Sequence, residues 1–418
     1  MKKGFTLIEL LAVILILGII ALIAIPTVNN ILKEARKGAF EAGVNNIMKY
    51  MEEACQTSLI KNENPALSYT FNEGKANIEL AIKGELPNEG YVLLSKECTV
   101  TDFYLSDKNN IYSNTGDVRY DQMLKASTET NVSIFKKMYA DYYDNIISVS
   151  FINNLNIPEE AIEVKDPSVS EIGNIKSWLI PNGSNYELYV GSNKTIYANI
   201  DSKYLFKDMI NVKSIEFSNF NTSLTKSMGA LFHNAENLTS INLENFDTSN
   251  VEDMGSMFRY CKKLVTVDLT GFNTSKVVDI SCMFRDCHNL QEVKFGNFDT
   301  SNISRMQQLF MYCGQLKKID VQDFKLKNNV ILMNLFYRCY SLETLDISGW
   351  DLTNSGSLND IFIDAGIKTL IVKDATAINK LSEHLIAKDA STPGTIQIVG
   401  DREGLDIDAL TAKNWNVI

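Results

Sequence analysis

Phenylalanine recurs at positions 206, 232, 258, 284, 310, 336 and 362, and every interval is 26 residues. A fixed period of this length predicts a stack of like coils, each burying its apolar side on the next. The residue before each Phe is apolar, from Leu205 to Ile361. Six positions after it stand Val212, Leu238, Leu264, Leu290, Leu316 and Leu342. At the ninth and eleventh positions apolar residues alternate with polar ones, as in Val267/Leu269 and Ile319/Val321, which predicts a short strand with one buried face. An aromatic follows at the fourteenth, from Phe220 to Trp350, and then a polar turn such as Asp247-Thr248-Ser249. Strands stacked about 4.8 Å apart would make a slab roughly 30 Å long.

The other end of the chain carries a different constraint. From Phe5 to Ile25 only Thr6, Glu9 and Gly18 are not apolar. Membrane spans need about 20 apolar residues, and a carboxylate inside one is costly without a partner. Fifteen of these residues are Leu, Ile, Val or Phe, enough to offset Glu9. Two lysines precede the run, which predicts a cytoplasmic leader with the rest of the chain outside. Beyond Pro26, apolar residues at Val28, Ile31, Leu32, Val44, Ile47, Met48 and Met51 keep helical spacing.

Lys3-Gly4-Phe5-Thr6-Leu7-Ile8-Glu9 resembles the leader of type IV pilins and pseudopilins. The resemblance implies that a prepilin peptidase cuts between Gly4 and Phe5 and that the Phe5 amine is methylated. It implies that Glu9 pairs with the Phe5 amine of a neighbouring pilin subunit during assembly, and that Pro26 bends the helix. The 26-residue units are similar to BspA-type leucine-rich repeats of bacterial surface proteins, on their Met-Phe…Cys…Leu pattern and turns such as Phe298-Asp299-Thr300-Ser301. That resemblance implies surface display and adhesion to an extracellular protein or cell-surface ligand.

The fold class expected is therefore α+β. A long N-terminal membrane or filament helix carries a small β-rich pilin-like head, followed by a leucine-rich-repeat solenoid and a small α/β C-terminal cap. The expected boundaries are a leader at 1–4, the helix at 5–55 with its transmembrane part at 5–25, and the head at 56–153. A linker at 154–175, repeats at 176–375 and the cap at 376–418 complete them. Cys55 and Cys98 are a possible disulfide tying head to helix, which an exported protein permits.

The remaining residues limit the chemistry. A net charge of −11 argues against nucleic-acid binding, which needs basic patches. Three histidines leave little room for general-base catalysis, and no nucleophile elbow, zinc-protease motif or phosphate loop is present. No enzyme, metal or cofactor is expected. Cys261, Cys287, Cys313 and Cys339 share one register with Met209, Ala235 and Ala365, which reads as a buried ladder. The candidate binding face is the outward strand side: Asn242, Glu244, Asp268, Lys294, Asp320 and Asp346. Arg259, Tyr260, Arg285, Tyr312, Tyr337, Arg338 and Tyr340, just after the register Phe, form an alternative edge. The function expected is a minor or tip subunit of a pilus-like filament displaying an adhesive module. A membrane-anchored adhesin that never polymerises, and a pseudopilin of a secretion or DNA-uptake system, remain open.

Overall fold

The computed structural model describes residues 42–58, 61, 68–72, 75–76, 89–94, 98, 100–106, 111–113, 122–126, 132–168 and 174–418. Gly4, Phe5, Glu9 and Pro26, and with them the expected leader and membrane segment, lie outside the described residues. The chain divides into two compact units, 1–120 and 121–418.

In the first unit, helix α1 is described over 42–58. It buries Val44, Ile47, Met51 and Cys55, which recur every three or four residues and so share one face. Five strands follow: β1 (Ser68–Asn72), β2 (Lys75–Ala76), β3 (Glu89–Leu94), β4 (Val100–Ser106) and β5 (Ile111–Ser113). They form an antiparallel sheet in the order β2-β1-β3-β4-β5. Val92, Leu94 and Leu105 are buried. Cys55 and Cys98 are joined by a disulfide, their Cα atoms 5.6 Å apart.

The second unit begins with the short helix α2 (Ile134–Met138), capped by the Ser133 hydroxyl accepting from Phe135 N. Strands β6 (Ile146–Ile152), β7 (Ile162–Lys165), β8 (Lys176–Asn182), β9 (Asn185–Gly191) and β11 (Ser214–Glu216) make one mixed sheet in the order β11-β6-β9-β8-β7. Between them in sequence, β10 (Ile196–Tyr197) pairs in parallel with β12 (Phe220–Asn221). Residues 122–126 and 132–153, within the stretch expected as the head, belong to this second unit, and β7 lies inside the stretch expected as a linker. Strand β11 belongs to the first 26-residue coil, so the stack grows from the edge of this sheet. The Ser133 hydroxyl donates to Leu205 O at 2.5 Å and the Tyr143 hydroxyl to Lys207 O at 2.6 Å, occupying carbonyls of the first coil.

Each later coil rests on the one before. The register Phe rings from 206 to 336 stack with centroids 5.4–5.7 Å apart, and Phe362 follows at 6.3 Å. Each of the six Phe N–H groups from 206 to 336 donates to the next coil, as Phe232 does to Met257 O at 2.9 Å. Alternate residues instead bond within the coil, as His233 N does to Ala230 O. This alternation needs a left-handed residue two before and two after each Phe, such as Ser256 (φ 59°) and Tyr260 (φ 64°).

The expected fold class is corrected here. Helices α2, α3 (Ala375–Ser382) and α4 (Ile407–Thr411) have five, eight and five residues. Among the described residues no helix is long and apolar enough to cross a membrane. The repeats do not form a leucine-rich-repeat solenoid built on an unbroken strand ladder. Their continuous hydrogen bonding runs along the turn side, while the strand side pairs only in places: β13 (Thr266–Asp268) with β14 (Glu292–Lys294), and β15 (Thr344–Ile347) with β16 (Thr369–Val372). The physical reason is that turn bonds already hold neighbouring coils together, so strand pairing is not needed between every pair. After the last coil, β17 (Gly394–Ile398) and β18 (Trp415–Val417) extend β15–β16 into a parallel sheet crossed by α3 and α4. Asp374 and Asp406 cap those helices by accepting from Ala377 N and Ala409 N.

Candidate functional site

The outward strand side is where the six candidate binding residues fall. Asn242, Asp268, Lys294, Asp320 and Asp346 share one register, 26 residues apart, and Glu244 lies two positions beyond Asn242. Three of them already serve the chain itself. Asn242 accepts from Glu244 N at 2.9 Å, Asp268 from Thr270 N and Oγ1 at 3.0 and 2.7 Å, and Asp346 from Ser348 N at 2.9 Å. The Thr270 hydroxyl and amide hold the Asp268 carboxyl below the usual carboxylate range. These side chains close the turn after the strand, a local role that Asp and Asn fill in many loops. Lys294 is the one cation in the register row and lies 3.9 Å from Asp268.

Lys294 and Asp320 differ from the rest because they border a gap. Among the described residues no backbone hydrogen bond joins 292–295 to 318–321, whereas Leu269 N donates to Lys294 O across the preceding pair of coils. A cavity of about 240 Å³ opens there, with Phe295, Phe298 and Phe324 as its floor and Glu292, Lys294, Lys318, Asp320 and Asp323 around it. Gly296 completes the rim at φ 56°, and a Cβ there would meet Thr270 Cα at 2.9 Å. The structure thus brings Lys294 and Asp320 to one groove and leaves Asn242, Glu244, Asp268 and Asp346 outside it. The groove's aromatic floor and Asp323 were not singled out from the sequence, because the repeat places aromatics at these positions in every coil. The break in strand pairing beside them has no sequence signal.

This arrangement can hold an outside group by charge and shape. Among the described residues no group of His, Cys, Asp or Glu could hold a metal ion. The ladder cysteines are packing elements: Cys261, Cys287, Cys313 and Cys339 are buried, and each thiol donates to the Phe carbonyl 29 residues earlier at 3.0–3.2 Å. Burial pushes all four thiols well above their ordinary range, which keeps them protonated and unreactive.

Residues 1–25 match the family model described as the prokaryotic N-terminal methylation motif. Residues 200–294 and 262–373 match the model described as Mycoplasma protein of unknown function, DUF285. No curated protein and no solved structure matches the chain. The second model covers the coils and carries no activity with it. The first is a motif of prepilin-type processing and pilin-type assembly in general, and by it the N-terminal segment is similar to that of type IV pilin-like surface proteins.

Proposed function

We propose that this chain is a minor or tip subunit of a type IV pilus-like filament, and that its second unit is an adhesive module presented to an extracellular ligand. The N-terminal methylation motif carries this reading, because it supplies both a route to the surface and a means of assembly. Gly4 and Phe5 are the processing residues, and Glu9 is the assembly residue. A carboxylate in an apolar segment is tolerated when a charged amine of a neighbour meets it. The size of the second unit, residues 121–418, favours a rare or terminal subunit over a bulk one. Its outward strand side, with the groove at Lys294 and Asp320, is the surface offered for recognition, and the module binds rather than catalyses.

The test is Glu9→Ala in cells that make the filament. Filaments sheared from cells should contain the unaltered protein. The variant should stay in the membrane fraction and fall at least tenfold in the sheared fraction. Finding the unaltered protein absent from purified filaments would end the filament reading.

A further inference from the structure

The groove beside the break in strand pairing keeps charges that other coils use among themselves. Elsewhere, opposite charges at one register of neighbouring coils pair: Lys262 with Glu236 at 2.6 Å, Arg305 with Asp279 at 2.7 Å and Arg338 with Asp364 at 3.1 Å. Glu292 and Lys318 are matched in the same way, 26 residues apart, and so are Lys294 and Asp320. Among the described residues neither couple forms an ion pair, and Lys294 lies instead 3.9 Å from Asp268. Asp320 also departs from its register. Asn242, Asp268 and Asp346 each accept from the backbone amide two residues on, whereas Asp320 closes no turn and has no side-chain partner among the described residues.

These groups border the cavity of about 240 Å³ whose floor is Phe295, Phe298 and Phe324. Sites for drug-sized ligands hold roughly 300–1,000 Å³, so this one admits about a single ring. It is not a slot for an added strand. Paired strands lie about 4.8 Å apart, and a strand inserted between two coils would part them by that distance again. The rings beside the groove keep ordinary spacing instead. Phe295 and Phe298 lie 5.1 and 6.2 Å from Phe324, against 4.9 and 6.1 Å for Phe217 and Phe220 from Phe246. Charges of both signs on the rim also oppose a ligand of one sign. An anion near Lys318 meets Glu292, Asp320 and Asp323, and a cation near Asp320 meets Lys294 and Lys318.

We propose that this groove binds one sugar ring of a neutral saccharide. A hydroxyl both donates and accepts. A ring that carries several can donate to Glu292, Asp320 and Asp323 and accept from Lys294 and Lys318, with no net charge for either sign to repel. Hydrogen bonds to ionised groups are stronger than those between neutral ones. The C–H groups of the ring rest on the phenylalanine floor, an apolar contact that a small ion cannot use. Asp320 and Lys318 are the specificity-determining residues, because both are exposed and neither is held by the chain itself.

The inference rests on the reading of the outward strand side as the recognition surface, but its test does not need filaments. Purified full-length protein, in a detergent without a sugar headgroup, is titrated by calorimetry with linear hexaoses of glucose, mannose, galactose and N-acetylglucosamine. It is titrated separately with a Glu-Leu-Lys tripeptide and with an oligoglucuronate. At least one hexaose should bind, and the tripeptide and the oligoglucuronate should bind more weakly. Asp320→Ala and, independently, Lys318→Ala should each weaken hexaose binding about tenfold with the circular dichroism spectrum retained, while Lys276→Gln on another register leaves it unchanged. No binding of any hexaose at millimolar concentration would overturn the proposal. So would hexaose binding that either rim variant leaves intact, or tighter binding of the tripeptide or the oligoglucuronate. Absence of the protein from purified filaments with hexaose binding intact would count against the filament reading alone.

Discussion

At the scale of single residues, the coils are held by side chains that replace backbone ladders. Thr222, Thr248, Thr274 and Thr300 are buried and donate to a carbonyl of the following coil at 2.9–3.1 Å. Thr248 also accepts from Asn273 N at 2.8 Å, so one hydroxyl serves both polar groups of that residue. Thr248→Val keeps the shape and strands both groups, and should cost about 1–3 kcal/mol in urea unfolding, whereas Thr248→Ser should cost less than half of that. Equal losses in the two variants would show that the methyl group, not the hydroxyl, matters. The threonine was legible only as part of a polar turn. Its link to the next coil requires knowing which residues stack. The left-handed positions were not legible at all, because the chain fills them with Tyr204, Ala230, Ser256, Cys282 and Gln308 rather than glycine. The usual sequence signal of such a conformation is therefore missing.

At the scale of elements, the seven-phenylalanine register reported the packing correctly but not its form. Period alone says that coils stack. It does not say whether strands or turns carry the hydrogen bonds between them. Coils with Val267/Leu269 and Val293/Phe295 form paired strands, while those with Ile241/Leu243 and Ile319/Val321 do not, although the apolar alternation is the same. Turn bonding along the Phe side satisfies the coils, and the strand side is left free to open, as it does at the groove. Phe284 has ring neighbours on both sides, at 5.5 and 5.7 Å, whereas among the described residues Phe362 stacks only on Phe336, at 6.3 Å. Phe284→Ala should lower stability by about 3–5 kcal/mol. Phe362→Ala, at the end of the stack, should cost clearly less. Chemical denaturation of the two variants decides this, and equal losses would mean that the rings do not act as a ladder.

At the scale of the whole molecule, the two units should respond to different insults. The disulfide Cys55–Cys98 lies within residues 1–120, while the five remaining cysteines lie in 121–418 as free thiols, four of them buried. Cys98→Ser with Cys55→Ser should destabilise the first unit by about 2–5 kcal/mol. The second unit's unfolding should stay where it is, and a shift of both transitions would contradict the division. The sequence suggested a head and a repeat region, but residues 121–153 carry Phe135, Tyr139, Tyr143 and Phe151, which are buried in the core of the second unit. Nothing local distinguishes those apolar residues from ones that would pack within a head.

What joins the units into one account is the processing of the N-terminus. The most direct measurement is the mass of the N-terminal peptide of the protein isolated from the cell surface. Prepilin-type processing predicts a chain that begins at N-methylated Phe5. A chain that begins at Met1, or one cut after Ala24, would contradict it.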